Sequence, residues 1–196
     1  MEYAISNWVL NTFGGSKFFA VLSSVLTFLG STWAVTLVLA ILVYYKKSRN
    51  VGICCTLAVL MSLLINNVIL KNIVQRPRPF EEYEAMYRIC ELANYAPPTG
   101  YSMASGHASA TMAVAVALFM FSKKWGAVAI SASIVVGLTR VALLVHYMTD
   151  VLVGWVIGAA LAIGVYYLFR YVYKKIQIKI QEKRGNYEKI DFSIDK

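Results

Sequence analysis

Residues 139–169 have the sequence TRVALLVHYMTDVLVGWVIGAALAIGVYYLF. The second part, residues 151–169, contains no charged side chain, and a helix of that length crosses the roughly 30 Å hydrocarbon core of a lipid bilayer. The first part, residues 139–150, is also mostly apolar but contains one arginine, one histidine and one aspartate. Ionisable side chains are costly at membrane depth, and they mark functional sites there. The stretch therefore predicts a membrane-spanning helix with a polar functional site at its start.

A similar composition extends over most of the chain. Of its 196 residues, 59% are hydrophobic and only 15% are charged, which is typical of an integral membrane protein. Three more windows without charge, residues 18–45, 51–70 and 105–122, are long enough to span a bilayer, and residues 125–145 are interrupted only by Arg140. We therefore predict an all-α, polytopic membrane helix bundle of five spans.

The first window and the residues before it predict two further features. Residues 18–45 would form a single helix about 42 Å long, which is more than a bilayer requires. The LGST sequence at 29–32 is therefore expected to kink this helix or to form a turn in it, and the count becomes six spans if 17–29 crosses alone. Residues 2–13 alternate apolar and polar side chains and precede two glycines, which predicts a short helix in the membrane interface.

The positive charge of the chain is concentrated at one end of the predicted bundle. The net charge is +9, and basic residues follow the first span, separate the third from the fourth and follow the fifth. The connection 79–104 instead contains four glutamates and one arginine. Cytoplasmic loops are enriched in Lys and Arg, so we predict a multi-pass protein of the cell membrane with connection 79–104 outside and the C-terminus cytoplasmic. Residues 1–175 would form the membrane domain and 176–196 a basic cytoplasmic tail, and no nucleic acid partner is expected.

Three polar clusters lie where the predicted helices reach the outer face. The first is KNIVQRPRP at 71–79, in which Lys71 and Arg78 are seven residues apart, about two helical turns. Pro77 and Pro79 then end the helix. A basic cluster on a face that is otherwise poor in Lys and Arg indicates an anion-binding site, and guanidinium groups suit phosphate oxygens.

The second cluster is YSMASGHAS at 101–109, where Ser105 and Gly106 begin a long apolar helix. Free backbone N–H groups at a helix start, together with the positive end of the helix dipole, favour an anion. His107 would lie in the first turn of this helix, where its ring reaches the same anion.

The third cluster lies in the stretch quoted first. His146 and Asp150 are four residues apart, so a helical course places a carboxylate beside an imidazole. The carboxylate fixes the tautomer of the ring and leaves the other ring nitrogen as a nucleophile or base. Arg140 adds a third cation to the site.

The three clusters together suit one kind of chemistry. No set of carboxylates, or of cysteines and histidines, has the spacing of metal ligands, so neither a metal nor another cofactor is expected. Cations, helix-start N–H groups and two histidines suit metal-free phosphoryl transfer, in which one histidine attacks the phosphorus and the other protonates the leaving oxygen. The spacing leaves open which histidine attacks.

In order and spacing, the clusters resemble the three motifs of the type 2 phosphatidic acid phosphatase (PAP2) family. The family pattern is a lysine, six residues and Arg-Pro; then Pro-Ser-Gly-His; then Ser-Arg, five residues, His, three residues and Asp. The chain has KNIVQRPRP, ASGH and TRVALLVHYMTD, so every charged and histidine position matches. Ala104 and Thr139 replace the usual proline and serine. The first change is expected to lower the order of the loop before the helix, and the second keeps a hydroxyl.

The resemblance implies a role for each residue of the site. His146 would be the nucleophile that forms a phosphohistidine, with Asp150 as its orienting partner. His107 would protonate the leaving group and then activate water. The residues implied to bind the phosphate are Lys71, Arg78, Ser105, Gly106 and Arg140.

The resemblance also implies a lipid phosphate as the substrate, hydrolysed at the outer leaflet. The compact chain and RPRPF at 76–80 look like the phosphatases that convert undecaprenyl diphosphate to undecaprenyl phosphate, and this is the first choice of substrate. Phosphatidylglycerophosphate and phosphatidic acid are the alternatives. Two other functions stay open, namely transfer of the phosphate to a lipid alcohol and non-catalytic binding or carriage of a phospholipid headgroup.

Overall fold

The structure is a computed structural model that describes residues 2–184, and within this range it contains helices and no strand. The long helices run up and down through the bundle, and the short ones lie at the end that contains the polar clusters. The α-helices are α1 (Glu2–Phe13), α2 (Lys17–Thr27), α3 (Thr32–Tyr44), α4 (Arg49–Leu63), α5 (Lys71–Val74), α6 (Pro79–Glu82), α7 (Glu84–Leu92), α8 (Gly106–Phe121), α9 (Lys123–Ala142) and α10 (Met148–Arg184).

Five helical segments form the membrane bundle, as predicted. Four are long and apolar enough to cross a bilayer, namely Lys17–Tyr44, Arg49–Glu82, Lys123–Ala142 and Met148–Glu182. The fifth, α8, is an apolar helix of 16 residues, about 24 Å long. It packs against α4, α9 and α10, and it buries small residues such as Ala108, Ala113 and Ala117 on these neighbours. The all-α membrane fold is thereby confirmed.

The first span is broken near the predicted position. A 3-10 turn, Phe28–Gly30, follows α2, and Ser31 caps α3 with a side-chain oxygen that accepts from the Ala34 N–H at 3.2 Å. A Cβ on Gly30 would lie 2.4 Å from Val136 Cγ1, so the turn comes too close to α9 for a larger residue. The 11 residues of α2 are about 17 Å long, too short to cross a bilayer alone, and the count of five spans holds.

A π-helical segment, Leu64–Leu70, connects α4 to α5 and was not predicted. Its residue Asn66 is buried, and its side-chain amide donates to Ser109 Oγ at 3.1 Å and accepts from the Ala104 N–H at 3.2 Å. Segments of this kind are frequent at functional sites. Here the segment connects the second span to the start of α8 just before Lys71.

The predicted N-terminal helix is present as α1, and it lies against the end of the bundle where the polar clusters are. Val9 packs in an apolar cluster with Met86 of α7 and Leu143 after α9. The ring of Tyr3 is 4.6 Å from that of Tyr83, measured between centroids. The start of the chain is therefore part of this end of the molecule.

The predicted boundary between membrane domain and tail lies within α10, which continues without a break through residue 175 to Arg184. Residues 185–196 of the predicted tail lie outside the described residues. The division of the chain at this boundary stays a prediction.

Two glycines allow α10 to pack directly on the backbone of α8. A Cβ on Gly158 would lie 2.3 Å from the Ser109 carbonyl oxygen, and one on Gly154 would lie 2.8 Å from the Ser105 carbonyl oxygen. Small residues four positions apart are a common way for membrane helices to approach closely. The contact holds the start of α10, which contains Asp150, next to the start of α8.

We expect Gly158→Ala to lower the Tm of the purified protein in detergent, because its methyl group pushes α10 away from α8 at a cost of about 1–3 kcal/mol. Gly164→Ala is the matched control, since a Cβ on Gly164 meets no atom within 4 Å. Thermal unfolding of both variants beside the unchanged protein is the measurement. Equal Tm values for the two variants would contradict the close packing.

Candidate active site

The three polar clusters meet at one cavity of about 700 Å³. Ser105 and Asp150 lie directly behind the residues that line it and are joined to each other, because the Ser105 N–H donates to the Asp150 carbonyl oxygen at 2.9 Å. The structure thus brings all eight predicted site residues together. The six that line the cavity are Lys71, Arg78, Gly106, His107, Arg140 and His146.

His146 and Asp150 form the predicted pair. His146 lies in the connection between α9 and α10, Asp150 lies in the first turn of α10, and both side chains are buried. His146 Nδ1 is 3.6 Å from Asp150 Oδ2. The same carboxylate oxygen accepts from the Tyr147 N–H at 2.9 Å and from the Ser102 hydroxyl, which is itself 3.4 Å from Nδ1. The nitrogen Nδ1 therefore faces acceptors, and Nε2 is the ring nitrogen left for chemistry.

Burial lowers the pKa of His146 to about 3. The interaction with Asp150 opposes this shift, and the positive charges of Arg140 and Arg78 add to it. At neutral pH the ring is therefore uncharged, with a lone pair available on the nitrogen that lacks the proton.

The Arg78 side chain is 1% exposed, and its donors bind main-chain carbonyls around the cavity. Nε donates to the Gly100 oxygen at 2.7 Å, Nη1 to the Val145 oxygen at 2.8 Å and Nη2 to the Tyr101 oxygen at 3.2 Å. Nη1 is also 3.4 Å from His146 Nε2. Arg78 therefore fixes the loop before α8 and the connection that contains His146, and one of its nitrogens lies beside Nε2 of that histidine.

Arg140 differs from Arg78 in that two of its three guanidinium nitrogens have no hydrogen-bond partner among the described residues. Its Nη1 donates to Thr27 Oγ1 at 3.0 Å and to the Tyr95 hydroxyl at 2.7 Å. Its Nε and Nη2 are buried and have no hydrogen-bond partner in the part of the chain that the structure describes. Buried donors without a partner are costly, so this edge of Arg140 is suited to an anion in the cavity. Lys71 lines the same cavity.

The start of α8 forms the third side of the cavity. Ser105 is the N-cap, and its Oγ accepts from the Ala108 N–H at 3.5 Å. The next two residues, Gly106 and His107, line the cavity, so the positive end of the α8 dipole points toward it. Gly30 lies beside His107, because a Cβ there would be 3.2 Å from the ring carbon Cδ2.

Ala104 has a structural role of its own where the family pattern has proline. Its N–H donates to Asn66 Oδ1, and a proline has no N–H to do so. The expected loss of order in the loop is therefore offset by a bond to the second span. Thr139, the other departure from the pattern, uses its hydroxyl within α9, where it donates to the Val136 oxygen at 2.7 Å.

Several residues of the site were missed from the sequence. Asn66 had a signal, since two adjacent asparagines lie in an otherwise apolar window. Thr27 and Tyr95, which hold Arg140, had none, because they lie far from the motifs in sequence. Arg76 is in the first cluster but had no assigned role, and its Nη1 donates to Asp150 Oδ1 at 2.9 Å.

No group of three or more histidine, cysteine, aspartate and glutamate side chains comes together in a metal-binding arrangement within residues 2–184. Asp150 is held by Arg76, Ser102 and the Tyr147 N–H. Whether the reaction needs a metal stays a prediction from the sequence.

Comparisons with known proteins agree with the motifs. The model of the PAP2 superfamily matches residues 50–174. An undecaprenyl-diphosphatase of Sulfolobus acidocaldarius is 31% identical over 123 residues, which are 62% of this chain and 57% of that protein, so the match spans little more than half of its length. Two crystal structures have a similar fold. They are a PAP2-type phosphatidylglycerolphosphate phosphatase from Bacillus subtilis (24% identity, TM-score 0.66, 89% of this chain and 85% of that one) and LpxE of Aquifex aeolicus (20% identity, TM-score 0.70, 84% and 93%).

We expect Arg140→Gln to weaken binding of inorganic phosphate about 10- to 100-fold, since hydrogen bonds to a charged group contribute about 1.5–3 kcal/mol each. Binding is measured by titrating purified protein with phosphate and following the rise in Tm. Arg88→Gln, at an exposed position of α7, is the control and is expected to leave the affinity unchanged. Equal affinities of the two variants would show that Arg140 does not bind the anion.

Proposed function

Since the chain belongs to the PAP2 superfamily, we propose that it is a membrane lipid phosphatase that hydrolyses a lipid phosphate or diphosphate through a phosphohistidine, without a metal. The observation that supports this best is the arrangement around the cavity. Two histidines, three cations and a helix start surround its polar end, and one of the histidines is backed by a buried carboxylate.

In the first step, the lone pair of His146 Nε2 attacks the phosphorus, and the bond from phosphorus to the leaving oxygen breaks. His107 gives a proton to that oxygen. Arg140, Lys71 and the N–H groups at the start of α8 stabilise the negative charge on the other phosphate oxygens. Arg140 lines the cavity and has two buried guanidinium nitrogens without a partner among the described residues, which supports this role.

In the second step, His107 takes a proton from water, and the water oxygen attacks the phosphorus of the phosphohistidine. The phosphorus–nitrogen bond breaks, its electron pair returns to Nε2, and inorganic phosphate leaves. Asp150 stabilises the positive charge that His146 acquires in the intermediate. The contact of 3.6 Å between the two side chains supports this pairing.

The remainder of the cavity supports a lipid as the substrate. From the polar end it continues between α3 and α4, where its walls are apolar side chains such as Val35, Leu39, Val43, Val59 and Leu63. The wall contributed by α3 extends over about 17 Å, at 1.5 Å per helical residue. A phosphate at the polar end would leave a hydrocarbon chain in this groove.

Undecaprenyl diphosphate is the first choice of substrate. The curated relative at 31% identity is named an undecaprenyl-diphosphatase, which supports this choice. Phosphatidylglycerophosphate and phosphatidic acid are the alternatives. The solved structure from Bacillus subtilis is of a phosphatidylglycerolphosphate phosphatase, but at 24% sequence identity it shows a shared fold and not a shared substrate.

The active site would face the extracytoplasmic side. A second cavity at the opposite end of the bundle groups Lys46 and Lys47 with Ser122 and Trp125, so the basic connections lie together and far from the site. The positive-inside rule then assigns that end, and the C-terminus with it, to the cytoplasm.

Labelling of a cysteine introduced at the exposed Lys47 in intact cells is expected to fail until the membrane is permeabilised.

Phosphate release by purified protein tests the proposed function. With EDTA present, we expect turnover of undecaprenyl diphosphate at a higher kcat/KM than of the other two lipids, and no turnover above background in His146→Gln. Full activity of this variant, with the same Tm, would contradict the proposal.

The same assay tests the two alternative functions. If a labelled lipid alcohol gains phosphate, the enzyme is a phosphotransferase. If substrate binds without turnover, the protein is a headgroup-binding protein.

A trapping experiment separates the roles of the two histidines. Substrate radiolabelled in its terminal phosphate is expected to leave an acid-labile label on the unchanged protein and none on His146→Gln. His107→Gln is expected to lower kcat by about 10²- to 10⁴-fold and to retain the label longer, because the water that removes it lacks its base. A label on His146→Gln would mean that another residue is the nucleophile.

A further inference from the structure

We propose that Arg76 is a positioning residue for the proposed reaction. It holds the Asp150 carboxylate against His146, and it is itself held by Glu2 of α1. Arg76 lies outside the family pattern, which uses only Lys71 and Arg78 of this cluster. The inference rests on the proposed function, because it concerns how the nucleophile of that reaction is oriented.

The contacts of Arg76 fix its guanidinium on several sides. Nη1 donates to Asp150 Oδ1 and to Thr149 Oγ1, at 2.9 Å each. Nη2 pairs with the Glu2 carboxylate. The flat face of the group lies over the Tyr147 ring, with its central carbon 3.9 Å from the ring centroid. These contacts together restrict the Arg76 side chain to few conformations.

Arg76 donates the hydrogen bond that satisfies the second oxygen of the buried Asp150 carboxylate. Oδ2 already accepts from Ser102 and from the Tyr147 N–H, and this is the oxygen that faces His146. Oδ1 accepts from Arg76. Asp150 is 0% exposed, so without Arg76 its Oδ1 would lose its charged partner away from water, which is costly. The carboxylate would then be held toward His146 only by its Oδ2, and its orientation would be less well fixed.

The location of Arg76 distinguishes it from the cations that would bind phosphate. Lys71, Arg78 and Arg140 line the cavity, and Arg76 does not. Its main-chain oxygen accepts from the Ser102 N–H at 2.8 Å, so it also holds the loop that contains a second partner of Asp150. Arg76 therefore acts through Asp150 on the far side from the substrate.

Glu2 connects α1 to this arrangement. Its carboxylate pairs with Arg76 and accepts from the Thr149 hydroxyl, so it joins the start of the chain to the start of α10. Arg76 thus lies between two carboxylates, the buried Asp150 and the partly exposed Glu2. The position of α1 on the end of the bundle gives this helix a role in orienting the site.

Loss of Arg76 also changes the charge near His146. Without the cation on Oδ1, the charge of Asp150 acts more strongly on the ring and favours its protonated form, which cannot attack. The acidic limb of the kcat profile is therefore expected to move to higher pH. The other ionisable groups that face His146 stay in place in this variant. They are Arg78, Arg140 and His107.

The test compares Arg76→Gln, Arg76→Lys and the exposed control Arg88→Gln in full kinetics as a function of pH. We expect Arg76→Gln to lower kcat about 10- to 100-fold, as a small misplacement of a reacting group does, with KM within about threefold. Its acidic limb shifts upward, and Arg76→Lys, which keeps the charge, restores that limb. An unchanged kcat, or a loss of kcat with an unchanged pH profile in protein of normal Tm, would overturn the proposal.

Two further variants complete the test. Glu2→Gln is expected to lower kcat less than Arg76→Gln, and to add nothing when the two are combined, because Glu2 acts through Arg76. Fully additive effects would overturn the role of Glu2. His146→Gln in the same assay separates the two levels of inference. Activity in that variant contradicts the proposed function, whereas its inactivity beside a normal Arg76→Gln contradicts the role of Arg76 alone.

Discussion

The organisation of the site depends on one main-chain hydrogen bond, from the Ser105 N–H to the Asp150 carbonyl oxygen. It joins the start of α8 to the start of α10 at a point where Gly154 allows the two helices to approach closely. His107 lies two residues beyond one end of this bond, and His146 lies four residues before the other. The two histidines therefore face one cavity although 39 positions separate them. The close packing of α8 and α10 is thus what brings the two histidines to the same cavity.

The two buried arginines of the site differ in what their donors bind. Arg78 uses its donors on the carbonyl oxygens of irregular segments, which have no helical partners of their own. Arg140 has two nitrogens without a partner among the described residues, and it is one of the residues that line the cavity. The donors of Arg78 are thus satisfied by the protein itself, whereas Arg140 is held through Nη1 alone and an anion in the cavity would supply acceptors for its other two nitrogens. We therefore expect Arg140 to contribute more to anion binding than Arg78.

Much of the fold was predictable because membrane spans follow from length and composition alone. The break in the first span was predicted from excess length and lies where LGST is. All eight site residues come together as the motifs predicted, since each motif ends or begins a span at the same face. The partners of those residues were not predictable. Tertiary packing alone brings Thr27, Tyr95 and Asn66 to the site. The hydrogen bond from the Ala104 N–H to Asn66 gives Ala104 its structural role. Patterns in the sequence predicted which residues come together at the cavity, and tertiary packing determines which residues hold them in place.

The broken first span has a mechanical consequence for the groove. α3 is connected to α2 by a short 3-10 turn, and Leu39 is the residue of α3 that is buried. One wall of the proposed lipid groove is therefore a helix that contacts little protein on its outer side, whereas hydrogen bonds fix the residues at the polar end of the cavity. Such a wall would adapt to hydrocarbon chains of different thickness at a lower cost than a helix packed against protein on both sides. Selectivity would then reside in the headgroup, and the length and branching of the lipid tail would be tolerated.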